Sequence, residues 1–172
     1  MAVNQTPRTI FTEILKKNRP DAIAWVEGNE LATQLNGSVK FYRTPYGGVL
    51  VEAEIFGLPN INIQNSSDFY AMHIHEYGDC SEGFAHVGGH YNPSQVIHPN
   101  HAGDLPPLMA NQGYAWTSFY DKRFGITEII GRSVIIHSFA DDFTTQPVGN
   151  AGGKIGCGTI RLIGPKQPDS PQ

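Results

Sequence analysis

Six of the seven histidines in this chain stand between His73 and Asp104, in the run HIHEYGDCSEGFAHVGGHYNPSQVIHPNHAGD. They are His73, His75, His86, His90, His98 and His101, and the seventh, His137, closes the apolar run IIGRSVIIH. Any fold this chain adopts has to account for imidazoles gathered so tightly in a chain otherwise free of them. Zinc and copper both accept imidazole nitrogen, and a carboxylate such as Asp104 completes a zinc set. His73 and His75 are two apart, so on a strand both project from one face while Met72 and Ile74 take the other. A lone histidine on a strand is more often structural; a pair with further histidines at hand reads as ligands. His137 ends a second strand. His90 sits at the glycine-rich turn of GGHYNP, where backbone and ligand can come close. His98, His101 and Asp104 follow at spacings of three. That is more ligands than one tetrahedral ion needs, so the count predicts two metals. His86 reads as a surface histidine of the loop.

Around this window the chain has the texture of a β protein. Nineteen glycines, twelve prolines and only 16% charged residues suit short strands between turns. A length of 172 residues gives one domain with a full core. Residues 1–20 read as a helical extension: Ile10, Phe11, Ile14 and Leu15 recur at helical spacing, with Thr9 as cap and Pro20 as stop. This helix is expected to pack on the main domain, a partner-binding arm being the other reading. Strands are predicted at Ala22–Val26, Gly37–Arg43, Val49–Phe56, Phe69–Glu76, Gly113–Tyr120, Val134–His137 and Ile155–Ile163, with a hairpin turn at Thr44–Gly48 and a turn at Asp121–Gly125. Roughly eight short strands argue for a sandwich or barrel over residues 21–164. Residues 165–172 read as a frayed tail. The long aperiodic segment 77–111 is of a length that is usually functional, and Asp141–Gly153 forms a second loop.

The net charge of −4 offers no basic face for nucleic acid, and no apolar run is long enough to cross a membrane. The first residues lack the apolar stretch of a secretory leader, which predicts a cytoplasmic protein; a removed leader would make it secreted or periplasmic. Asn65-Ser66-Ser67 matches a glycosylation triplet, which has meaning only on a secretory route. Cys80 and Cys157, the only cysteines, are either two buried thiols or one disulfide, and a disulfide suits an oxidising compartment.

The motifs HIHEYGDC, GGHYNP, HAGDL, IIGRSVIIH followed by ADD, and GNAGGKIGCG resemble those of the copper/zinc superoxide dismutases, from about Ala22 to Ile163. The chain looks like a bacterial-type member with an N-terminal helical extension. The resemblance implies an all-β, immunoglobulin-like fold, an eight-stranded Greek-key β-barrel or sandwich, preceded by a short helix. It implies copper held by His73, His75, His90 and His137, and zinc held by His90, His98, His101 and Asp104, with His90 as the shared imidazolate. Asp141 matches the aspartate that tethers a copper histidine to a zinc histidine and so fixes ring orientation. Cys80 and Cys157 match the family's disulfide.

The implied reaction turns superoxide into dioxygen and hydrogen peroxide, with His90 delivering a proton. The chain departs from the family at Lys154, where an arginine usually draws in the anion; lysine keeps the charge and loses the two-pronged geometry. The Asp141–Gly153 loop is short and poor in charge, and His98 and His101 stand closer together than is usual. The substrate expected is superoxide, and the chain a monomer or homodimer. The rival reading is a non-enzymatic copper or zinc store or chaperone-like module. Such a module favours exposed Cys or Met near copper, and Met72 is expected to point away. A hydrolase would need a carboxylate base, for which Glu76 faces the wrong side.

Overall fold

Alternation of apolar and polar side chains sets the first three strands. In the computed structural model, which describes residues 6–59 and 68–164, β1 (Ala22–Gly28), β2 (Asn36–Arg43) and β3 (Val49–Phe56) form an antiparallel meander. Ala22, Ala24 and Val26, then Val39 and Phe41, then Val49, Val51, Ala53 and Ile55 all turn inward to one core. Complete burial of a side chain such as Ile55 or Phe41 is worth about 1.5–3 kcal/mol.

The remaining strands are β4 (Phe69–Tyr70), β5 (Met72–His75), β6 (Leu108–Met109), β7 (Ala115–Asp121), β8 (Ser133–His137) and β9 (Lys154–Leu162). The main sheet has the order β5-β8-β9-β1-β2-β3-β7, and β4 pairs with β6. The small pair spans the gap between the edges of that sheet. β4 leads into β5 with one residue between them, and β6 leads into β7 through the Asn111–Tyr114 bridge. The sheet thus curls into a barrel. Counting β4 and β5 as one interrupted strand gives the expected eight. β3 and β4, like β7 and β8, are consecutive along the chain without being neighbours in the strand order, which is the Greek-key arrangement.

The expected single strand Phe69–Glu76 is broken at Ala71 because the strand changes partner there. Before Ala71 it pairs with β6, and after it with β8, while Ala71 itself exchanges hydrogen bonds with Phe139 and His137. Two short helical pieces had no readable periodicity: a 3-10 turn at Glu82–Phe84 and the four-residue α2 (Ile126–Ile129) inside the connection to β8.

α1 (Pro7–Lys17) begins earlier than Thr9. Thr6 stands at the N-cap and Pro7 opens the helix, where a missing N–H costs nothing. Asn18, left-handed at φ 45°, ends it before Pro20 is reached. Ile10, Phe11, Ile14 and Leu15 are its half-buried face. Phe11 packs on Tyr120 of β7 and on Tyr46, with ring centroids 5.0 and 5.8 Å apart. The glycosylation triplet at 65–67 and the tail 165–172 lie outside the described residues.

Candidate metal centre

β5 divides its side chains between core and site. Met72 and Ile74 enter the barrel core, and His73 and His75 point to the outside, where loops bury them completely or nearly so. The free edge of β5 is covered by the chain that follows it. Tyr91 N–H donates to Ile74 O at 2.8 Å, Ile74 N–H to Gly103 O at 2.9 Å, and Glu76 N–H to Gly89 O at 2.9 Å. These bonds set His90 beside His75 and Asp104 beside His73. Gly103 is required for the approach, because a Cβ there would lie 2.9 Å from Tyr91 N and closer still to Ile74 O. β8 repeats the division: Val134 and Ile136 join the core, and His137 sits outside.

Seven buried side chains meet as two groups of four that share His90. One is His73, His75, His90 and His137; the other is His90, His98, His101 and Asp104; within each, the donor atoms lie within 4.8 Å of one another. Nearly every ring is anchored through one nitrogen and presents the other. His73 Nε2–H donates to Asp141 Oδ2 and His98 Nε2–H to Asp141 Oδ1, each at 2.9 Å. His75 Nδ1–H donates to Gly88 O at 2.9 Å and His137 Nδ1–H to Gly152 O at 3.4 Å. That leaves His75 Nε2 and His137 Nε2 facing each other at 3.3 Å. His73 Nδ1, His90 Nε2, His98 Nδ1 and His101 Nδ1 are buried with no hydrogen-bond partner. His90 Nδ1 lies 2.7 Å from Asp104 Oδ1, and His98 Nδ1 and His101 Nδ1 lie 3.1 and 3.2 Å from Asp104 Oδ2. Buried polar atoms without partners are costly. Lone pairs converging in this way fit two cations, one in an all-nitrogen set and one in a set with a carboxylate.

Electrostatics keep these donors in ligand form. Burial lowers the pKa of His75 to about 2 and of His137 to about 3, with neighbouring imidazoles pushing the same way. Burial also lowers His73, against the pull of Asp141. Burial would raise Asp141, but hydrogen bonds from His73, the Phe143 N–H and His98 outweigh it and hold the carboxyl at about 2. Asp104 is likewise held down by His90 against its burial. His73, His75 and His137 are therefore neutral, and Asp104 and Asp141 ionised, at neutral pH.

Cys80 and Cys157 form a disulfide that ties the loop after β5 to β9. His86 is apart from the cluster, exposed and 3.0 Å from Glu82. Glu76 is occupied with the Gly89 N–H at 2.9 Å. Lys154 opens β9 opposite His137, close enough for its charge to lower that ring further, and it pairs with no carboxylate among the described residues.

Three residues that hold the site were not singled out from the sequence. Gln146 clamps the His98 main chain, accepting its N–H at 3.1 Å and donating to its carbonyl at 2.7 Å. Arg132 donates to Glu76 O at 2.8 Å while stacked 3.9 Å over the Tyr91 ring. Arg123 grips the His101 and Asp104 carbonyls. Each acts through a backbone carbonyl or amide far away in sequence, so no motif announces it.

Paired donor groups outside a closed Greek-key barrel are the mark of a metal-binding β-barrel protein. Residues 35–160 match the family model for copper/zinc superoxide dismutase, and the chain belongs to that family. It is 34% identical to the extracellular superoxide dismutase [Cu-Zn] of Drosophila melanogaster, over 90% of this chain and 92% of the relative. It is 32% identical to superoxide dismutase [Cu-Zn] 3 of Arabidopsis thaliana, over 82% of this chain and 90% of that one. Among solved structures, the clock protein EA4 superposes with a TM-score of 0.70 at 32% identity, covering 84% of this chain and 96% of that chain. A SOD-like protein from Bacillus subtilis gives 0.66 at 27%, covering 82% and 97%. Membership makes the chain an oxidoreductase of the copper/zinc superoxide dismutase class, with copper and zinc as its metals. No described helix is long and apolar enough to cross a membrane.

Proposed function

We propose that the chain disproportionates superoxide to dioxygen and hydrogen peroxide. Copper is held by His73, His75, His90 and His137, and zinc by His90, His98, His101 and Asp104, with His90 common to both. The observation that carries this is the set of buried ring nitrogens left without partners, split between an all-imidazole group and one containing Asp104. Copper bound there would supply the one-electron chemistry that the disproportionation needs. The protein's own part is to hold the donors oriented, to carry a proton on His90 Nε2 to the forming peroxide, and to draw in the anion. Lys154 is the residue for the last task. The loop 141–153 contains no lysine or arginine, so the attracting field at the all-imidazole group rests on Lys154.

A store or chaperone gains no support from the side chains near the site. Met72 is wholly buried in the core and both cysteines are joined. The disulfide, together with relatives named as extracellular, supports a secreted or periplasmic setting over the cytoplasm.

The test is the superoxide decay rate with one copper and one zinc bound per chain, beside Lys154→Ala. A fast, salt-sensitive rate that falls roughly tenfold in the variant is expected for local steering. A rate no better than spontaneous decay at full copper occupancy would falsify the proposal.

A further inference from the structure

The guanidinium of Arg123 is bonded on two sides. Toward the barrel, Nε–H and one terminal amino group donate to the Asp121 carboxylate at 3.1 and 2.6 Å. Toward the loop, the terminal amino groups donate to two carbonyls, His101 O at 2.9 Å and Asp104 O. His101 and Asp104 are the last two members of the carboxylate-containing donor group. The middle of the turn is tied to β5 and its neighbour through Gly103, which accepts from Ile74 N–H at 2.9 Å and donates to Tyr91 O at 2.8 Å. Its two ends are joined by Asp104 N–H to His101 O at 3.1 Å and His101 N–H to Asp104 Oδ2 at 2.9 Å. Asp121, buried at the end of β7, is paired with Val49 of β3. A planar fork of five donors makes these four bonds at once, two to the carboxylate and one to each carbonyl, where an ammonium has only three donors.

We propose that Arg123, held by Asp121, is a positioning residue for zinc. It fastens the His101–Asp104 turn to the barrel, so that both side chains stand in place before an ion arrives. This rests on the assignment of zinc to His90, His98, His101 and Asp104. Without the clamp, the turn is held only at Gly103, the ion has to order the carbonyl ends that carry His101 and Asp104, and affinity falls. Supporting partners of ligands typically alter metal affinity 10–100-fold.

Metal-free protein is titrated with zinc ion alone against a chromophoric chelator, and with cobalt(II) to record the d–d spectrum of the same set. Arg123→Met is expected to lower zinc affinity roughly 10–100-fold and to change the cobalt spectrum. Asp121→Asn is expected to give a smaller loss in the same direction, and the double variant little beyond Arg123→Met. Equal zinc affinity in Arg123→Met and the wild type overturns the inference alone. A wild-type chain that takes up no zinc overturns the zinc assignment and the inference with it. Should the variants fail to fold, hydrogen exchange on the metal-free wild type decides. Protected amides across 101–104 are expected, and exchange at open-loop rates overturns the inference.

Discussion

A side chain at residue 149 would have nowhere to go. Gly149 has φ 69°, and a Cβ on it would strike the Asp141 carboxylate and lie 2.7 Å from His98 Nε2, the two ends of one hydrogen bond that orients the His98 ring. Gly149→Ala is therefore expected to do two things. The left-handed backbone costs about 1–2 kcal/mol with any Cβ, and the broken Asp141–His98 bond loosens the zinc set. Zinc retained after dialysis against a chelator, measured beside the thermal midpoint of the metal-free chain, separates the two effects. A variant that keeps its zinc as the wild type does would show that Asp141 does not orient His98. The sequence displays this glycine only as one of several in GNAGG; its necessity comes from a histidine some fifty positions away.

At the scale of elements, β5 and β8 carry His73, His75 and His137, and the Cys80–Cys157 bridge ties the loop after β5 to β9. The loop it closes spans 77 residues. In the chain-entropy model a closure of that length stabilises the fold by about 4–5 kcal/mol. Cys157→Ser is expected to lower the urea midpoint accordingly, and it also frees the loop that brings His90 beside His75. A midpoint unchanged by the substitution would mean that the packing of Phe84, Val87 and Ile135 around Cys157 holds this region without the bond.

For the whole molecule, the buried histidines make the stability of the metal-free protein depend on pH. His75 and His137 have folded pKa values of about 2 and 3, against about 6.5 in an unfolded chain. Between those values the unfolded chain binds more protons than the folded one, so stability falls as pH drops below about 6.5. The slope approaches about 1.4 kcal/mol per pH unit for each ring. Asp141, depressed to about 2, works in the same direction once pH falls below about 3.9. Above neutrality these groups contribute nothing further. Urea unfolding of the metal-free chain from pH 7.5 down to 4 tests this. A flat profile would mean that the rings are not buried as neutral imidazoles.

Some of this was legible in the chain as written. Alternation at Gly37–Arg43 and Val49–Phe56 dictates strands, because a period of two puts every second side chain on one face. The same rule puts His73 and His75 together and Met72 and Ile74 opposite. These are local consequences of backbone geometry, and the sequence by itself determined them. It did not determine the break at Ala71 and the two-residue β6, where the strand changes partner, or the four-residue α2; all are too short for any periodicity. Nor did it determine which nitrogen of each ring is left free, or that Arg123, Gln146 and Gly149 hold the ligand loops. Those depend on backbone carbonyls, amides and side chains brought within about 3 Å by the closing of the barrel, and only the tertiary structure could decide them.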